Sequence, residues 1–233
     1  MKRLRKLSYV LLIGLFFPLQ ACSKTYSAKP IEAWVVDAET KQPLEGVIVV
    51  ALWELKYGWE GGGAYPLTVM EAVTDKNGRF YFPAWGPKPI PEHLPSETRL
   101  KDWDPVMVFY KKDYTYLMLT NDRPIRSMSG HGSSTRTSEW NGKTIPLTKF
   151  RGSIDQYAEN LDRFDSQLYP IFFNGRKCEW KGMPRLLTSL IKERNRMLDA
   201  AQALFERCFA GFSRRLFVSA VLCKDKNRKD KRQ

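Results

Sequence analysis

Near residue 150 the hydrophobic pattern of this chain changes period, and that change limits what it can fold into. Before it, apolar residues come in short runs or alternate with polar ones, as strands require. After Ser153 they recur at three- and four-residue steps, as helices require. Ile31 to Asp37 is a short β-rich run, and Glu39 to Pro43 a polar turn. Leu44 to Leu52 is apolar enough for a strand buried on both faces. Val69 to Thr74 makes a third strand. Asp75-Lys76-Asn77-Gly78 is a tight turn, across which Arg79 to Phe82 is expected to pair back. Val106 to Tyr110 and Tyr114 to Leu119 read as a hairpin around Lys111-Lys112-Asp113. Lys143 to Leu147 closes the sheet, with Pro146 marking an edge. About seven short strands over residues 30–150 predict a two-sheet antiparallel β-sandwich. Ile154, Tyr157, Ala158, Leu161, Phe164 and Leu168 then define a helix capped by Ser153 and ended by Pro170. A second helix starts near Pro184 and runs to about Phe209, its apolar stripe opposite Lys192, Glu193, Arg196 and Asp199. The fold class is α+β, with residues 151–212 as a helical appendage packed on the open face of the sandwich.

Val35-Val36-Asp37, Thr40, Pro43-Leu44-Glu45-Gly46-Val47-Ile48-Val49 and Thr74-Asp75-Lys76-Asn77-Gly78-Arg79-Phe80 resemble the carboxypeptidase-regulatory-like domain. The resemblance covers residues 31–119 and implies a transthyretin-like (prealbumin-like) sandwich. It also implies an assisting role in folding, partner binding or spacing, with no catalytic residues of its own. Gly46 suits a bulge or close packing, and Gly78 stands where a β-carbon would strain the turn.

The chain starts with Lys2, Arg3, Arg5 and Lys6, followed by an apolar run from Leu7 to Leu19. This is the layout of a secretory signal, too short for comfortable permanent membrane crossing. Leu19-Gln20-Ala21-Cys22 resembles a bacterial lipobox. That resemblance implies removal of residues 1–21, acylation of Cys22 and durable anchoring by several acyl chains. Ser23, in place of Asp, then favours the outer membrane, with the protein facing the periplasm. The alternative is an ordinary signal or uncleaved anchor, with Cys22 incidental. Residues 22–29 read as a linker.

Removing residues 1–21 leaves 212 residues and lowers the formal charge from +13 to +9. The 43% hydrophobic content marks a folded chain with room for one good core. Residues 213–233 form a basic tail, with Lys224, Lys226, Arg228, Lys229, Lys231 and Arg232. Export argues against a nucleic-acid partner and for anionic lipid or envelope polymers, or else for a solvated terminus. With Cys22 acylated, Cys178, Cys208 and Cys223 remain, so at most one pair can form within the chain. A straight helix of roughly 25 residues spans about 37 Å, whereas the lead-in from Cys178 reaches about 20 Å, so Cys208 with Cys223 is the favoured disulfide.

The chain has two histidines, His93 and His131, neither with a second ligand at metal spacing, so neither a metal site nor any other cofactor is expected. Ser129, Ser133 and Ser134 flank His131 without a nucleophile elbow. Phe150-Arg151-Gly152-Ser153 resembles the C-terminal motif of hydroxyisourate hydrolases. Phe stands for Tyr, however, and Ile31 to Asp37 lacks the histidine that family places near its N-terminus. Trp53, Tyr57, Trp59 and Tyr65 around Gly61-Gly62-Gly63 are candidate ligand-binding residues if exposed and core plugs if buried. Three functions follow as expectations. The first is a membrane-anchored, non-catalytic binding or scaffold lipoprotein of the cell envelope with a protein or glycan partner. The second is a glycan- or peptidoglycan-binding module using the aromatic loop. The third is a small hydrolase around His131.

Overall fold

The computed structural model describes residues 24–58, 63–101, 104–120, 135–172 and 179–200. Eleven strands come first: β1 (Thr25–Ala28), β2 (Ile31–Asp37), β3 (Ile48–Lys56), β4 (Ala64–Val73), β5 (Arg79–Phe82), β6 (Trp85–Pro89), β7 (Arg99–Leu100), β8 (Val106–Tyr110), β9 (Leu117–Leu119), β10 (Thr135–Arg136) and β11 (Thr144–Leu147). Helix α1 (Ile154–Phe172), a 3-10 turn (Glu179–Gly182) and helix α2 (Pro184–Ala200) follow. The fold is an α+β sandwich. Its sheets run β10-β1-β6, β11-β2-β5 and β4-β3-β8-β9, with β7 pairing the end of β3.

The layers follow from the parity of β3 and β8. Val49, Ala51, Trp53 and Leu55, with Met107 and Phe109, face the sandwich interior and meet Ile31, Ala33, Val35, Phe80, Phe82, Ile145 and Leu147. Ile48, Val50 and Leu52, with Val106, Val108 and Tyr110, face the other way and meet Tyr157, Leu161, Phe164, Leu168, Leu186 and Leu190. Every β3 residue from Ile48 to Leu55 is therefore buried. The doubly buried strand expected over Leu44 to Leu52 exists, four residues further along. The helices share a core with the central sheet and form a third layer.

The residues carrying the family resemblance hold turns. Asp37 Oδ1 accepts the backbone N–H groups of Glu39 and Thr40, each at 2.9 Å. Thr74 Oγ1 is buried, donates to the Leu44 carbonyl at 2.5 Å and accepts from the Val47 N–H at 2.9 Å. Asp75 Oδ1 accepts from Asn77 and Arg79 N–H. Gly78 has φ +72°, and a β-carbon there would lie 2.3 Å from the Val35 carbonyl oxygen, so glycine is required.

Four expectations need correction. β5 pairs with β2, not with β4: Ile31 lies opposite Phe82 and Trp34 opposite Arg79. The Gly78 carbonyl accepts the Val35 N–H at 2.8 Å, which carries the chain across to the opposite sheet. The sandwich is not purely antiparallel, because β11 pairs with β2 and β10 with β1 in parallel. Residues 25–28, expected to be linker, form β1, with Tyr26 and Ala28 in the core. Helix α1 continues past Pro170 to Phe172; proline there removes one N–H donor, in the last turn.

Helix starts are well specified. Ser153 and Gln156 form a capping box: Gln156 N–H donates to Ser153 Oγ (3.2 Å) and Ser153 N–H to Gln156 Oε1 (2.9 Å). α2 opens with Pro184, and its free Arg185 and Leu186 N–H groups donate to the Glu71 carboxylate of β4 at 3.0 and 2.7 Å.

Candidate functional site

The aromatic candidates do not form one exposed platform. Trp53 is 2% exposed, with its ring edge-on to Trp85 at 5.4 Å. Tyr65 is buried and edge-on to the His93 ring at 5.5 Å. Tyr57 is half-buried and packs against the sandwich interior. Trp53 and Tyr65 are therefore corrected to core residues: Trp53 shares its β3 face with Val49, Ala51 and Leu55, and Tyr65 lies opposite Leu55 on β4. Trp59, His131, Cys22, Cys178, Cys208, Cys223 and the basic tail lie outside the described residues. Among the described residues no three His, Cys, Asp or Glu side chains gather as metal ligands.

A different feature emerges where β3 begins and β8 ends. A cleft of about 490 Å³ opens there between the β8–β9 turn, the segment after β11 and the outer face of α2. Lys111, Lys112, Lys149 and Lys192 line it, with Ile48 and Tyr110 as apolar walls. The lysine-bearing segments are fastened to one another. Asp113, in the left-handed region at φ 64°, turns the chain between β8 and β9. Its N–H donates to the Tyr157 hydroxyl at 3.1 Å, and its carbonyl accepts from Phe150 N–H at 2.9 Å. Tyr114 bridges to Lys149, and Thr115 N–H donates to the Thr148 carbonyl at 2.9 Å. The Tyr114 hydroxyl reaches back to Asp37 Oδ2 at 2.9 Å.

The acidic groups nearby are already engaged. Glu193 lines the cleft, is 4% exposed, and accepts from Arg196 Nε at 3.0 Å and from its Nη2. Arg196 also lies 3.9 Å from the Asp113 carboxylate. The hydrogen bond to Glu193 raises the Arg196 pKa above its ordinary value. Burial pushes the Tyr157 hydroxyl up to about 12, and the Tyr110 hydroxyl higher still. The site thus presents four lysines and hydrogen-bonding groups, an arrangement suited to an anion. The sequence reading missed it because its lysines come from separate segments. Lys111 and Lys112 read as hairpin-turn residues and Lys192 as solvated helix surface.

Neither known protein families nor curated proteins match this chain. Among solved structures, a 9R-lipoxygenase from Cyanothece PCC8801 matches with TM-score 0.27 and 11% identity, over 63% of this chain and 23% of that one. The chain thus spans under a quarter of that enzyme, and likeness at this score carries no argument.

Proposed function

We propose that this chain is an exported lipoprotein, acylated on Cys22, that serves the cell envelope as a non-catalytic binding or scaffold protein. In this reading its sandwich is of the carboxypeptidase-regulatory-like kind, and the lysine cleft is its binding surface. The observation that carries the reading is the position of β1. It starts at Thr25, three residues after Cys22, so cleavage before Cys22 would remove none of the eleven strands found among the described residues. Asp37, Thr74, Asp75 and Gly78 support the sandwich assignment by holding the turns described above. Glu193, the buried carboxylate at the cleft, is bonded to Arg196, which favours binding over catalysis. Among the described residues no helix is long and apolar enough to cross a membrane. Ser23, in place of Asp, favours the outer membrane under the sorting rule of lipobox proteins. Burial of Trp53 and Tyr65 weighs against the glycan reading.

Palmitate labelling in a bacterial host, with intact mass of the purified chain, tests the anchor. The wild type is expected to begin at Cys22, carry acyl groups and fractionate with membranes, and Cys22→Ser to lose the label. A wild-type chain without acyl mass overturns the proposal.

A further inference from the structure

We infer that the lysine cleft binds a small phosphate ester, with the phosphate held among Lys111, Lys149 and Lys192 and the organic part against Ile48 and Tyr110. This rests on the cleft being the binding surface; it does not require acylation of Cys22.

The argument is one of charge, preorganisation and size. Four lysines line one cleft, and the like charges they bring to it favour an anion between them. Two carboxylates, Glu193 and Asp113, lie at the cleft; Arg196 bonds to Glu193 and so offsets one of them, and the four lysines outweigh the other. Lys111 Nζ gives one hydrogen bond to the Glu45 carbonyl at 2.6 Å, which orients the ammonium and leaves it two further donors. The backbones presenting Lys111, Lys112 and Lys149 are tied by the Asp113–Phe150, Tyr114–Lys149 and Thr115–Thr148 contacts, so the ordering cost a ligand meets is that of the lysine side chains alone.

Lysine with no free guanidinium suits a compact, multiply charged anion. As point charges the lysines favour a phosphate monoester of nearly two charges over a carboxylate of one, and the nearby Arg196 is occupied. A volume of about 490 Å³ is within the range of small-molecule sites and exceeds what one inorganic phosphate fills. The half-buried Ser189 hydroxyl, also on the lining, offers a neutral hydrogen bond to the organic part. A soluble sugar phosphate and a phospholipid headgroup share this chemistry.

Isothermal titration calorimetry on the full chain in nonionic micelles tests the inference, with glucose 1-phosphate as probe and glucuronate as the carboxylate control. Glucose 1-phosphate is expected to bind, glucuronate at least about tenfold more weakly, and affinity to fall as salt rises. Combined Lys111→Gln, Lys149→Gln and Lys192→Gln should weaken binding about tenfold or more. Lys76→Gln with Lys143→Gln, outside the cleft, should change it less than twofold. Circular dichroism checks that each variant folds. Phosphatidic acid titrated into the micelles identifies the source: displacement of the sugar phosphate assigns a lipid headgroup, and undisturbed binding a soluble ester. No binding of either phosphate, equal binding of glucuronate, or an unchanged affinity in the triple variant overturns the inference. Intact mass of the same sample reports acylation separately, so the anchor and the cleft can fail independently.

Discussion

Asp37 takes three donors at once: the N–H groups of Glu39 and Thr40 and the hydroxyl of Tyr114. These hydrogen bonds, the two from the backbone foremost, lower its pKa from the ordinary 3.8 to about 2. A carboxyl whose pKa is depressed by folding adds stability above its unfolded pKa and loses it as pH falls through the folded one. Its contribution is therefore complete above about pH 4 and disappears toward pH 2. In urea titrations, Asp37→Asn is expected to be less stable than wild type at pH 7, with the gap narrowing between pH 4 and 2. An equal gap at pH 7 and pH 2 would contradict this account. The neighbouring Lys111 to Tyr114 turn shows what residue-level reading misses. Its residues announce a turn, but nothing local says that Tyr114 reaches Asp37 or pairs with Lys149.

The elements were legible where their causes are local. The capping box at Ser153 and Gln156, Pro184 at the start of α2, and the Asp75 to Gly78 turn are all written in adjacent residues. So was the double burial of β3, because its apolar residues occupy both parities. That parity also held the clue to Trp53: Val49, Ala51 and Leu55 mark its face as core. Pairing partners were not legible. Arg79 to Phe82 alternates equally well against β4 or β2, and the hydrogen bond from Val35 N–H to the Gly78 carbonyl decides between them. The joint between β4 and α2 is equally remote, since Glu71 caps a helix 114 residues away. Glu71→Ala should cost about 1 kcal/mol, up to about 2, in denaturant unfolding, because two N–H groups lose their acceptor. Glu71→Gln, which keeps one carbonyl oxygen, should recover part of that loss. A change below about 0.3 kcal/mol in Glu71→Ala would show that water replaces the carboxylate without penalty.

At the scale of the whole molecule, three layers are held by two apolar seams. Phe164 is fully buried in the outer seam, stacked on Tyr116 at 4.3 Å and on Tyr110 at 5.9 Å between ring centres. Phe164→Ala is expected to lower unfolding stability by about 3–5 kcal/mol. The loss should appear in a single transition followed by both tryptophan fluorescence and helical circular dichroism. Separate transitions for the two signals would mean that the helices melt alone. The expectation of one transition comes from β3, which is covered on both faces and paired along both edges by β4 and β8. Between Ile48 and Leu52, where both neighbours pair with it, its amides are expected to exchange most slowly, close to the rate of global opening. The same enclosure leaves evolution little freedom from Ile48 to Leu55. New ligands and partners must be accommodated at the rim, while the middle strand stays as it is.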